Sequence, residues 1–111
     1  MTVCLFLGLC LGFACASDGV PEVPQGPDGL ADPVLVLGRL VYVGRCVNCH
    51  GSDGGSIVGV DLSGDAIVEI YPDIEDHISV IANGLDAMPA FADILTTEEI
   101  EAVTRFTREI L

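Results

Sequence analysis

Residues 46–51 read Cys-Val-Asn-Cys-His-Gly, and the fold turns on this stretch. Two thiols three positions apart suit dithiol exchange, a zinc site or a porphyrin clamp. The imidazole placed directly after the second thiol separates these. Dithiol exchange of the thioredoxin kind belongs to a βαβ setting, and that pattern is absent around the pair. A structural zinc ion takes four ligands. Cys46, Cys49, His50 and His77 could supply four, yet adjacent Cys49 and His50 close awkwardly on one ion. Cys-x-x-Cys-His is the attachment signature of c-type haem. Each thiol adds across one vinyl group and leaves a thioether, the two intervening residues set the span, and the histidine falls beneath the iron. Cys46 and Cys49 are therefore the expected attachment points of one haem c, and His50 the expected proximal iron ligand.

The residues upstream read VLVLGRLVYVGR. The valines favour a strand, but Asp32-Pro33 is a helix start, with Asp32 as N-cap and Pro33 in the first turn. The cap and the fourfold spacing of Gly38 and Tyr42 predict a helix. Gly38 would let a second helix approach closely. Downstream, GSDGGSIVGVDLSGD is polar and glycine-rich, a loop expected to wrap around something. In YPDIEDHISVIANG, Asp73 caps a helix, Ile74, Ile78 and Ile81 make its apolar stripe, and Gly84 ends it in the left-handed conformation. His77 lies beside that stripe and reads as a surface or half-buried histidine. Thr96 and Glu99 form a capping box for the last helix. Ile100, Val103, Thr107 and Ile110 line one of its faces with Phe106 alongside. Glu101 and Arg105 are spaced to pair.

The chain has 111 residues, 4 basic and 17 acidic, for a formal net charge of -13. That balance excludes a nucleic-acid footprint and repels anionic membrane surfaces. It suits a redox partner with a basic docking face, met through salt-sensitive association, or simply a well-solvated surface. Three of the five cysteines, Cys4, Cys10 and Cys15, lie in the apolar opening MTVCLFLGLCLGFACA. This stretch is short of the ~20 apolar residues of a membrane span. Residues 1–16 read as an export signal with cleavage before Ser17, or as a lipoprotein signal with a lipid anchor at Cys15, or as a buried N-terminal helix. Residues 17–31 are rich in proline, glycine and acid, and read as an extended tether. Residues 32–111 form the domain. At about 80 residues with few large side chains, such a core is marginal and needs a staple such as a cofactor. Export places the domain in the periplasm of a bacterial host.

GRLVYVGRCVNCHG, GVDLSG and NGLDAMPAFADILTTEEIEAVTRF together resemble the class I c-type cytochromes, over residues 32–111. The resemblance implies an all-α cytochrome c-like fold, with about three to four helices around the haem and crossed first and last helices. Gly38 and Tyr42 match the glycine and aromatic of the family's first helix, and Val103 and Phe106 match their partners on the last. It implies that Met88, the one methionine besides Met1, is the distal iron ligand through its thioether. His77 is the rival for that position. The family usually has proline where Val60 stands. The carbonyl of that residue accepts a hydrogen bond from the proximal histidine, and Val60 retains a carbonyl.

With both axial positions filled, the expected function is electron transfer by a monohaem carrier, not catalysis. The alternatives are a haem-bearing subunit of a larger oxidoreductase, or a ligand-binding or peroxidatic haem protein if Met88 leaves the iron free.

Overall fold

The computed structural model describes residues 18–111. The expected signal, its cleavage point and Cys4, Cys10 and Cys15 lie outside the described residues. Five helices follow in order: α1 Pro33–Arg45, α2 Val47–His50, α3 Ala66–Ile70, α4 Ile74–Asn83 and α5 Thr97–Glu109. No strand occurs among the described residues, only isolated bridges at Gln25–Ala31 and Leu85–Met88. The fold is all-α as expected, with two short helices beyond the three long ones legible in the sequence. The helix of residues 33–50 breaks once, at Cys46.

The starts of the long helices follow side-chain chemistry. Asp32 accepts from the Val34 amide at 2.8 Å, with Pro33 opening α1. Asp73 accepts from Glu75 at 3.0 Å. Thr96 and Glu99 close the capping box on α5, and each satisfies an amide that the helix itself cannot. Gly84 ends α4 with φ 75 and ψ 168, a positive-φ, extended geometry in place of the expected left-handed helical one. That region is essentially open to glycine alone.

Helix α1 packs mainly on α5. The crossing depends on Gly38, where an added Cβ would lie 2.7 Å from Cβ of Phe106 and against the Ala102 carbonyl. The absent side chain lets the backbones meet, and Tyr42 and Phe106 fill the space beside them with ring centroids 5.6 Å apart. Both rings are wholly buried, with Ala102, Val103 and Thr104 next to them. The buried hydroxyls are satisfied within α5: Thr104 donates to the Ile100 carbonyl and Thr107 to that of Thr104. Asp32 has a second role, pairing with Arg105 at 3.1 Å and so tying the start of α1 to α5.

Three further sequence expectations about packing need correction. Arg105 pairs with Glu109 at 2.7 Å and with Asp32, not with Glu101. The buried face of α4 is carried by His77 and Ile81 with Ile78 partly covered, while Ile74, in the first turn, is exposed. The segment before α1 is irregular, as its prolines suggest, but it is not free. Val20 is buried in the core, and Arg39 reaches back to Asp18, Glu22 and the carbonyls of Val20 and Pro21.

Two glycines of α1 give a paired test. Gly38→Ala should destabilise the protein by about 1–3 kcal/mol, the cost of overpacking. Gly44→Ala, whose Cβ would meet nothing within 4 Å, should stabilise it by roughly 0.5–1 kcal/mol. Denaturant unfolding of both variants measures this. A second test concerns the Asp32 carboxyl. The Val34 amide holds it below its usual 3.8, with Arg105 adding to the effect. A depressed carboxyl contributes stability above its unfolded pKa and loses it as pH falls through the folded one. Asp32→Asn should therefore melt lower than wild type at neutral pH, and the gap should close below pH ~3.8 in a thermal-melt series.

Candidate functional site

The chain folds around a cleft of about 450 Å³ with predominantly apolar walls. Each helix and both long loops contribute. Cys46, Cys49 and His50 come from the α1–α2 break and α2, and Ile67 comes from α3. Ile81 comes from α4, Val103 from α5 and Met88 from the loop between them. The four residues singled out in the sequence, Cys46, Cys49, His50 and Met88, thus line one cavity.

His50 is held on several sides. Its Nδ1 donates to the Val60 carbonyl at 3.1 Å, so the bond expected from the family's proline position is made by valine. This leaves Nε2 as the nitrogen available to a metal. Gly59 lies flat on the ring: a Cβ there would sit 2.6 Å from Cε1. The loop of residues 51–60 wraps the Cys49–His50 backbone. The Cys49 carbonyl accepts from the Ile57, Val58 and Gly59 amides, and the His50 carbonyl from Ser56. Tyr42 reaches from α1 to donate to the Gly51 carbonyl at 2.6 Å. The buried Tyr42 ring therefore links the helix crossing to the end of α2.

Met88 sits in a tight turn. Its amide donates to Leu85 and its carbonyl accepts from Leu85, while Asp86 takes a φ of 51. Gly84 makes room for this, since a Cβ there would lie 2.6 Å from the Met88 carbonyl oxygen. The Phe91 and Ala92 amides bond to the Ile81 and Ala82 carbonyls, pinning the far end of the loop to α4. The methionine is thus placed by backbone bonds on both sides.

The two thiols are unpaired, with Cys49 exposed and Cys46 partly covered. Burial, with a smaller contribution from Cys49, pushes the Cys46 thiol up to about 12. A thiol so protonated is a poor exchange nucleophile, which weighs against the dithiol reading. Among the described residues no group of three His, Cys, Asp or Glu side chains gathers as a metal cage, so the four-ligand zinc set is not assembled. The arrangement fits a flat apolar cofactor with a metal at its centre: two free thiols at the wall, an oriented imidazole, a thioether and a glycine that clears the ring.

Residues 35–106 match the family described as cytochrome C oxidase, cbb3-type, subunit III. The chain belongs to the c-type cytochromes. The chloroplastic cytochrome c6 of Chlamydomonas reinhardtii is 38% identical over 76 residues, covering 65% of this chain and 51% of that protein. The chain thus spans about half the length of that relative. The cytochrome c6 of Bryopsis maxima is 34% identical over 76 residues, and there the match covers 86% of the relative. Cytochrome c6C from Synechococcus sp. PCC 7002 superposes with a TM-score of 0.59 at 30% identity, over 66% of this chain and 92% of that one. The cytochromes of this family carry covalently bound haem c and work by electron transfer, not substrate conversion. This cytochrome shares that cofactor and that class of activity.

His77, expected at the surface or half-buried, is instead buried. It is 4% exposed, lines the cleft, and its Nδ1 has no hydrogen-bond partner. Its spacing from Ile81, i to i+4, was the available signal.

Gly59→Ala tests the packing at His50. The added methyl has nowhere to go unless the ring shifts, so the Nδ1–Val60 bond should lengthen or break. A changed midpoint potential and a lowered melting temperature in the holoprotein, compared with Gly44→Ala, a glycine with open space around it and no positive φ, would record it.

Proposed function

We propose that this cytochrome is a one-haem electron carrier in which Cys46 and Cys49 hold the porphyrin through thioethers. His50 Nε2 and the Met88 sulfur are its axial ligands. The observation that supports the reading is the His50–Val60 bond, which fixes the tautomer and leaves the other ring nitrogen free to bind a metal. When bound, haem c supplies a one-electron ferric/ferrous couple, and a thioether ligand raises its potential relative to a second imidazole. The chain's own part is to orient the two ligands, keep water from the apolar walls and leave one edge open. His50 is set by Val60 and Gly59, and Met88 by the turn behind Gly84. Neither needs to move for an electron to pass, which favours fast outer-sphere exchange.

The mouth of the cleft carries exposed apolar residues, Val58, Val60 and Leu85. They support a small docking face for a redox partner. Three of the four arginines are engaged within the chain, Arg39 and Arg105 with carboxylates and Arg108 with backbone carbonyls. The acidic excess therefore remains on the surface, and the proposed partner presents a basic face, meeting the carrier in weak, salt-sensitive encounters. The same apolar rim also supports the second reading, a haem subunit of a larger oxidoreductase. Residues 1–16 are proposed as the export address, placing the domain in the periplasm of a bacterial host, soluble or lipid-anchored at Cys15. No helix of the described residues is long and apolar enough to cross a membrane.

Protein matured in an export-competent host should gain the mass of one haem and show the weak far-red band of sulfur-ligated ferric iron. Met88→Ala should abolish that band, lower the midpoint potential and admit carbon monoxide to the reduced protein. A band that survives the substitution removes Met88 from the iron, and colourless protein with no mass gain overturns the reading.

A further inference from the structure

We infer that His77 hydrogen-bonds a propionate carboxylate of the haem, and so orients and tunes the cofactor without touching its iron. This rests on the haem occupying the cleft as proposed above. His77 is almost wholly buried and forms part of the cleft wall. Its Nδ1 is unpartnered, and no hydrogen bond joins either ring nitrogen to a described residue. A neutral imidazole carries one N–H donor and one acceptor, and buried polar groups are rarely left unmet.

The ring cannot swing away to find water. It stacks on Tyr71 with centroids 5.9 Å apart and planes 14° from parallel. Tyr71 is in turn held by Arg108, whose Nη1 donates to its carbonyl at 2.7 Å. Thr107 also lines the cleft, but its hydroxyl is spent on the Thr104 carbonyl. The missing partner must therefore come with the ligand.

Haem chemistry narrows that partner. The porphyrin rim is apolar except for two propionates, and its vinyl positions are committed to Cys46 and Cys49. The iron's axial positions belong to His50 and Met88 under the proposed function. The field around His77 agrees. Burial first, then the Arg108 charge, depress its pKa to about 4, and no carboxylate among the described residues is a cause of that shift. A buried donor whose field is shaped by Arg108 suits an anion brought in with the ligand.

Proton NMR of the reduced, diamagnetic wild-type holoprotein tests this directly. The His77 ring N–H should exchange slowly and show nuclear Overhauser contacts to propionate methylene protons. His77→Leu should lose the signal and lower the midpoint potential, since an unshared carboxylate charge favours ferric iron. His77→Gln, which keeps an N–H donor, should restore most of the potential. A ring N–H that contacts only protein protons, a leucine variant with unchanged potential, or a bis-histidine spectrum in wild type would overturn the inference. Failure of the carrier reading shows separately, as absent haem mass or an absent methionine band.

Discussion

The close approach of α1 and α5 at Gly38 is the constraint on which the rest of this molecule depends. With no Cβ at that point, the Ala102 and Phe106 region of α5 settles on the α1 backbone. The contact brings Tyr42 and Phe106 together and frees the Tyr42 hydroxyl to reach Gly51. From there the chain is steered into α2 and the cysteine–histidine motif. The broad buried face of α5 serves two surfaces at once, Ala102 and Phe106 toward α1 and Val103 and Thr107 toward the cleft. One helix crossing thus sets both the small core and a wall of the cofactor site.

That division explains why so small a domain encloses so large a cavity. An apolar cleft of about 450 Å³ costs a chain of this size much of the interior it would otherwise bury. The surrounding loops compensate with backbone bonds. The triple acceptance at the Cys49 carbonyl and the Leu85–Met88 turn hold the segments that carry His50 and Met88 by backbone bonds. The placement of these two side chains is therefore written largely into the main chain, with glycines where the main chain must pass close. Gly59 under the imidazole and Gly84 behind the methionine are the two clearest cases.

Much of this was legible in the sequence because it rests on local chemistry. Asp32, Asp73 and the Thr96–Glu99 box cap their helices through neighbours two or three residues away, so spacing alone reveals them. The cysteine–histidine motif is equally local, while the Gly38, Tyr42, Val103, Phe106 set is legible only through the family resemblance. What escaped was decided by tertiary contact. Ile74 lies in the right phase for the stripe but at the end of α4, beyond what the core covers. Arg105 has a carboxylate four residues away on either side, Glu101 and Glu109, and spacing alone neither chooses between them nor reveals the distant Asp32. Val20 stands among prolines that suggest a free chain, and only the distant Arg39 shows that it is gripped. The spacing of His77 from Ile81 hinted at burial, but its place in the cleft wall depends on how α4 lies in the fold, which has no local signature.

The Arg39 grip on residues 18–22 alters the mechanical meaning of the N-terminal segment. Read as a leash, residues 18–31 would offer on the order of 45 Å of reach at roughly 3.3 Å per residue. Folded back through the Gln25–Ala31 bridge and fastened at Asp18 and Glu22, they spend that slack against the flank of α1. Asp18 is therefore anchored beside α1, and the reach that a free tether would have added between that point and the domain is withdrawn.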